Sequence, residues 1–138
     1  MNTVVPSPEH LLRRFVADTV DFAIVLTSPE GIIQGWLGAA ERVLGYTAAE
    51  AIGQPLSMMF VPQDRERGLD VQEIAVARAL GRSEDDRWHL RKDGSQFWAI
   101  GVLTAIRDDD GQVIGLCKLM RDKTDLRSQL LALENKVA

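Results

Sequence analysis

The sequence predicts an α+β fold: one five-stranded antiparallel sheet with short helices on one face and a helix at each end of the chain. Three observations predict it. Two strand-like segments joined by a tight turn come first, residues 38–80 then show helical spacing and helix-ending glycines, and three further strand-like segments follow. Strands and helices that occur in separate runs along a chain are typical of α+β proteins.

The chain begins with a segment typical of an amphipathic helix. Ser7 suits the N-cap, Pro8 suits the first helical position, and Glu9 lies near the positive end of the helix dipole. Three apolar residues then share one stripe of the helix: Leu12, Phe15 and Val16. We expect residues 1–21 to form this helix, and its apolar stripe to pack on the uncovered face of the sheet, across a dimer.

The first hairpin is predicted by a turn between two apolar runs. Residues 22–27 and 32–36 flank Ser28-Pro29-Glu30-Gly31, which has Pro and Gly where a type I turn favours them. We expect two paired strands here.

The middle of the chain has the signals of several helices. Residues 39–44 are followed by Gly45, Thr47 and Glu50 have the spacing of a capping box, and residues 56–60 form a short apolar segment. A longer helix is predicted over residues 65–80, ended by Gly81. Its expected inner side is Leu69, Glu73, Ile74, Ala77 and Leu80.

The second hairpin is predicted by an alternating run and an Asp93-Gly94 turn. In residues 87–92 the alternation places Trp88 and Leu90 on one face, and we expect His89 to face solvent. The next strand, residues 97–106, is apolar on both faces, so both sides of the sheet should be covered. Two acidic clusters, residues 84–86 and 108–110, are expected at solvated strand starts and turns. The last strand is predicted over residues 113–120.

The C-terminal segment has the spacing of a coiled-coil helix. Asp122 suits its N-cap, and four apolar residues follow at intervals of 4, 3 and 4: Leu126, Leu130, Leu133 and Val137. We expect residues 123–138 to form a linker helix that dimerises and continues beyond Ala138 in a longer protein. The alternative is a helix that packs on its own domain.

Composition excludes several classes of protein. The length of 138 residues predicts one domain. The net charge of -4 indicates that this domain does not bind nucleic acid. Cys117 is the single cysteine, no spacing suits a metal site, and no apolar run approaches the length of a membrane span. No nucleophile stands beside a base in a recognisable pattern. We therefore expect a cytoplasmic module that is not itself an enzyme.

Short motifs along residues 22–124 identify a family resemblance. They are Gly31, Trp36 with Ala40-Glu41-Arg42, Gly45-Tyr46-Thr47, Glu50 with Ile52-Gly53, Arg91-Lys92-Asp93-Gly94-Ser95 with Phe97-Trp98, Gly111, and Asp122-Lys123-Thr124. On these motifs the chain resembles the Per-Arnt-Sim (PAS) sensory domains, particularly the bacterial type linked to histidine kinases. The resemblance implies a PAS-like sheet with the first and last strands adjacent, a sensory core at residues 22–122, a homodimer and a downstream signalling domain.

The resemblance also implies a cleft between helices and sheet that holds a small molecule. Ile24 and Leu26 are expected to line it, together with the candidate cofactor-binding residues Trp36, Leu56, Met59, Phe60, Arg65, Ile74, Trp88, His89, Phe97 and Leu116. Flavin, as FAD or FMN, is the leading cofactor. The photoreactive cysteine of one flavin subfamily is replaced by Leu56. Haem is disfavoured because residues 65–80 contain no histidine. The alternative is a plain apolar core.

Two functions follow from the resemblance. In the first, the module senses a ligand or redox state in its cleft and relays it through Asp122 and Thr124 into the C-terminal coiled coil. In the second, the domain is a cofactor-free scaffold for dimerisation or protein interaction.

Overall fold

A computed structural model describes the backbone of residues 5–137 and the side chains of residues 5–135. Residues 1–4 of the predicted N-terminal segment, residue 138 and the side chain of Val137 in the predicted seam lie outside the described residues. No helix within the described range is long and apolar enough to cross a lipid bilayer.

The structure contains one five-stranded antiparallel sheet. Its strands are β1 (Ala23–Thr27), β2 (Ile33–Gly38), β3 (Arg82–Leu90), β4 (Gln96–Arg107) and β5 (Val113–Asp122). Their order across the sheet is β2-β1-β5-β4-β3, so the first and last strands are neighbours at its centre. The predicted fold class and the predicted adjacency of the first and last strands are confirmed.

Helices flank this sheet and cover one of its faces. They are α1 (Pro8–Asp18), α2 (Ala40–Leu44), α3 (Ala48–Ala51), α4 (Pro62–Glu66), α5 (Leu69–Leu80) and α6 (Thr124–Val137), with a 3-10 helix at Leu56–Met59. The predicted helix caps form the expected hydrogen bonds. The Ser7 side chain accepts a hydrogen bond from the His10 amide, and Thr47 and Glu50 form a complete capping box.

The predicted single helix over residues 65–80 is wrong, because the chain breaks into α4 and α5. Gly68 stands between them with a φ of 71°, a left-handed conformation that glycine adopts without steric cost. The prediction that Leu80 lies on the inner side of the helix is also wrong, because this residue is 76% exposed at the end of α5. Glu73 and Ala77 are buried as expected.

The predicted orientation of the second hairpin is also wrong. Trp88 pairs with Trp98 across β3 and β4, and both tryptophans lie on the outer face, away from α5 and the 3-10 helix. Strand alternation therefore turns His89 inward, where it is completely buried. Asp85, expected in a solvated strand start, lies four residues earlier on the same inner face and is buried as well.

The outer face carries apolar residues that no helix covers. Ile24 and Leu26 lie there rather than in the cleft, because they pair with Leu119 and Cys117 and alternate with the buried Ala23 and Val25. Helix α1 packs mainly on the edge of the sheet at β2. Its Leu12 and Phe15 are exposed.

Candidate functional site

The cleft lies between the inner face of the sheet and a wall formed by α5 and the 3-10 helix. Six predicted cofactor-binding residues meet at the apolar core in this region: Leu56, Met59, Phe60, Ile74, Phe97 and Leu116. Trp36 belongs to the same core, and its Nε1 donates a hydrogen bond to the Tyr46 carbonyl at 2.8 Å.

Two predicted site residues do not face the cleft. Arg65 is exposed on α4. Trp88 packs edge-to-face on Trp98 with ring centroids 5.3 Å apart, on the opposite side of the sheet. His89 faces the cleft and is fully buried, so the prediction that it faces solvent is wrong.

The cleft also contains a group of buried charged residues, which we call the ionic cluster: Glu73 on α5, Asp85 and His89 on β3, and Lys118 on β5. All four are at most 5% exposed. The Lys118 ammonium forms an ion pair with Glu73 and a second one with Asp85, with its Nζ 2.6 Å from Asp85 Oδ2. The cluster therefore links the helix wall to two strands of the sheet.

Gly101 makes room for this arrangement. A Cβ atom on Gly101 would lie 2.9 Å from Asp85 Oδ1 and 3.3 Å from the Cε atom of Lys118. Any side chain on β4 at this point would displace the ion pair. The glycine is thus required by the close approach of two side chains, and its own φ is ordinary.

Both ring nitrogens of His89 contact acceptors. Nδ1 lies 3.0 Å from the Met59 carbonyl oxygen, and Nε2 lies 3.2 Å from Asp85 Oδ2. His89 therefore lies between the 3-10 helix and β3 and contacts an acceptor on each of them.

The two carboxyl groups of the ionic cluster have opposite pKa shifts. Burial raises the pKa of Glu73 to about 7, against the opposing charge of Lys118. Burial acts in the same direction on Asp85, but the hydrogen bond from His89 and the charge of Lys118 outweigh it and hold the pKa of Asp85 well below its usual range. Asp85 is therefore the ionised partner and Glu73 the one that titrates near neutral pH.

A flavin does not fit the cleft in this conformation. The side chains of Met59, Phe60, Phe97 and Leu116 are fully buried against one another, and the ionic cluster fills the space beside them. Pockets for cofactors of this size usually enclose about 300 Å³ or more. An isoalloxazine ring would have to displace both the core side chains and the ion pairs.

Sequence reasoning placed Glu73 on the inner side of a helix but missed its partners. A signal was present: Glu73 occupies an apolar position of its helix, and Lys118 lies within a largely apolar strand. Charged residues on the inner sides of two elements indicate an ion pair, because a buried charge needs a counter-charge. Asp85 gave no such signal, since it stands in an acidic run.

The predicted relay residues form a second site, at the junction of β5 and α6. The Trp98 amide donates to Thr124 Oγ1 at 2.9 Å, and that hydroxyl donates to Asp122 Oδ1 at 2.6 Å. The Lys123 amide donates to the Trp98 carbonyl at 2.6 Å. These bonds attach the first turn of α6 to the start of β4.

Arg91 fixes the same junction from the hairpin side. Its Nη2 lies 2.7 Å from Asp122 Oδ2, and its guanidinium lies 4.5 Å from the centre of the Phe97 ring. On α6, the guanidinium of Arg127 lies 3.8 Å from the centre of the Trp98 ring. The junction thus contacts both the outer face and the core.

Comparison with known proteins gives consistent matches. A family profile described as "PAS domain" matches residues 21–125. Among curated proteins, "Two-component system protein A" of Emericella nidulans is 39% identical over 113 residues, which cover 81% of this chain. The match spans only 16% of that relative's length.

Two solved structures illustrate the shared fold. The PAS domain of a protein from Colwellia psychrerythraea is 31% identical, with a TM-score of 0.75 over 83% of this chain and 97% of that one. An RNA-binding Light-Oxygen-Voltage receptor is 24% identical, with a TM-score of 0.76 over 99% of this chain and 40% of that one.

Proposed function

Because this chain belongs to the PAS domain family, we propose that it is a signal-transduction sensory module, which relays the state of its cleft through a dimeric α6 to an output domain. Its sensory core would span residues 22–122 and its linker helix residues 123–138. The relative's name supports a two-component context, and a histidine kinase is the output that we propose. Catalysis would belong to that domain, and the module would act in the cytosol.

The observation that carries this proposal is the course of β5. This strand presents Lys118 to the ionic cluster and, four residues later, Asp122 to the junction with α6. A shift of β5 that accompanies a change in the cleft would therefore move the first turn of α6. The hydrogen bonds of Thr124 would pass that movement on to the helix.

Exposed apolar side chains support a homodimer. Leu126, Leu130 and Leu133 of the predicted seam are 45%, 52% and 58% exposed on α6. Leu12 and Phe15 of α1 are exposed too, and Val16 is half-buried. A groove of about 470 Å³ on the outer face of the sheet, lined partly by Phe22, Ile100, Val102 and Leu119, offers a surface for a second copy. Exposed apolar patches of this kind often mark interfaces.

Two candidate functions differ in whether the cleft holds a cofactor. Light-oxygen-voltage proteins among the solved structures support the flavin that the sequence favoured, but α5 would have to move outward to admit it. The filled cleft supports the second candidate function, a cofactor-free scaffold for dimerisation or protein interaction.

Absorption spectroscopy and native mass spectrometry of the purified protein would separate these functions. Flavin absorption, or a bound mass released on denaturation, would support ligand sensing in an opened cleft. A colourless protein whose native mass is that of the chain or of its dimer alone, and whose α6 does not respond to variants in the cleft, would support the scaffold. The response of α6 is the discriminating result, because a sensor can also respond without a bound molecule.

A further inference from the structure

Two carboxyl groups of the ionic cluster come from different layers of the fold. Glu73 stands on α5 and Asp85 on β3, and each places one oxygen against Lys118. Their other oxygens, Glu73 Oε2 and Asp85 Oδ1, are buried and have no hydrogen-bond partner among the described residues. Buried acceptors without partners are costly, and two ionised carboxylates at one site repel each other.

One proton on Glu73 would remove the repulsion between the two carboxylates and would supply a hydrogen-bond donor. Both carboxyl groups contact the same Nζ atom of Lys118, so a protonated Glu73 would carry a hydroxyl donor beside the carboxylate of Asp85. Asp85 would then accept from Lys118, His89 and Glu73 together, and Glu73 would still accept from Lys118.

We propose that Glu73 and Asp85 form a proton-binding site, in which the bound proton holds α5 against the sheet and its loss loosens that helix. The filled cleft admits a proton because a proton needs no cavity. That the proton serves as a signal rests on the sensory role proposed above, whereas the proton site rests on the geometry of the cluster alone.

The groups around this site come from every element packed on α5. Strand β5 contributes Lys118, and β3 contributes His89 and Arg87, whose Nε is 3.7 Å from Asp85 Oδ2. Strand β4 faces the site with Gly101, which is uncharged.

The remaining elements add no ion pair to Glu73. The 3-10 helix contributes the Met59 carbonyl, whose oxygen lies 3.0 Å from His89 Nδ1. Within the described residues, neither Arg65 of α4 nor Arg78 of α5 forms an ion pair with Glu73. Lys118 is therefore its direct counter-charge.

The direction of the pH effect follows from these charges. Loss of the proton from Glu73 places a second buried carboxylate beside the ionised Asp85, and the two carboxylates share the ammonium of Lys118. The pKa of Glu73 is raised from 4.5 to about 7 in the folded protein. The attachment of α5 is consequently strongest below the unfolded pKa and is lost as the pH rises through the folded value.

Hydrogen exchange of the α5 amides tests this site. After correction for intrinsic rates, opening of α5 should increase about tenfold from about pH 6 to about pH 8 in the wild type. Glu73→Gln keeps a donor and an acceptor without titrating, and its opening should not change over this range. Glu84→Gln removes an exposed glutamate of β3 and should behave as the wild type. The proposal would be overturned if opening of α5 in the wild type did not change with pH, or if Glu73→Gln showed the same pH dependence as the wild type.

A second measurement keeps the proposal testable if Glu73→Gln does not fold. In wild-type protein labelled with ¹³C at glutamate side chains, one carboxyl should titrate near neutral pH, whereas ordinary glutamates titrate at about 4.3. If every glutamate titrates below about 5, the proton site is refuted. A neutral titration of Glu73 without any change in α6 would leave the proton site standing and contradict the sensory role.

Discussion

The Nζ atom of Lys118 lies 2.6 Å from Oδ2 of Asp85, although the two residues stand on strands that do not pair with each other. Strand β4 runs between them, and the ion pair crosses it at Gly101, where no side chain intervenes. The same lysine contacts Glu73 on the helix wall. One ammonium therefore connects the sheet to α5.

Replacement of Lys118 should destabilise the fold strongly. Lys118→Met leaves buried carboxyl groups without their counter-charge, which typically costs about 3–5 kcal/mol of the free energy of unfolding. Urea denaturation would measure it. Lys92→Met, which breaks an exposed ion pair with Glu50, is the matched control and should cost much less. Equal losses in the two variants would show that the buried lysine has no special role.

Replacement of Asp85 should make stability less sensitive to acid. The lowered pKa of Asp85 stabilises the folded protein above the unfolded pKa of 3.8, and this contribution is lost as the pH falls. Asp85→Asn should therefore cost about 3 kcal/mol or more at neutral pH. The deficit relative to wild type should shrink below about pH 4.

Denaturation of both proteins at neutral and acidic pH checks this expectation. Asp109→Asn changes an exposed aspartate in a turn and serves as the control, with no such convergence. A deficit for Asp85→Asn that is constant across the pH range would contradict the assignment of Asp85 as the ionised partner.

The hydroxyl of Thr124 should hold α6 on the sheet. Thr124→Val keeps the shape of the side chain but removes the acceptor for the Trp98 amide and the donor to Asp122. We expect a loss of about 1–2 kcal/mol and faster hydrogen exchange at the Trp98 amide. The control is Thr104→Val, on the exposed side of β4, the strand that contains Trp98. It should leave the Trp98 amide protected. Unchanged protection of Trp98 in Thr124→Val would refute this role for the hydroxyl.

The exposed leucines of α6 should contribute to a dimer interface. Leu130→Asp places a charge in the predicted seam and should raise the dimer dissociation constant at least about tenfold, as expected for a lost apolar contact of about 1.4 kcal/mol or more. Analytical ultracentrifugation measures this constant. Gln129→Asp adds the same charge to a neighbouring exposed position and should have little effect. A wild type that stays monomeric at high concentration would contradict the dimer.

The elements of the fold were predictable where their signals are local. The capping box at Thr47 and Glu50 and the turn at Asp93-Gly94 depend on neighbouring residues, and both form as expected. The break at Gly68 was missed because helical spacing continues on either side of it. The spacing pattern records which residues face inward, but a single left-handed residue changes the direction of the chain without changing that pattern.

The site was less predictable because its contacts join distant parts of the chain. Lys118 is 33 residues from Asp85 and 45 residues from Glu73. The alternation in residues 87–92 revealed two faces but not which of them would be buried. The tryptophan face is the more apolar of the two, yet His89 faces inward, where Asp85 and the Met59 carbonyl contact its ring nitrogens.

The most direct test of the account is whether a change in the cleft reaches α6. Amide chemical shifts of residues 124–130 should be compared between wild type and Glu73→Gln at a pH above the pKa of Glu73, and then between the same proteins carrying Thr124→Val. The account predicts that Glu73→Gln shifts the α6 amides, and that Thr124→Val greatly reduces this shift. If the α5 amides change while those of α6 stay the same, the cleft and the helix are not coupled.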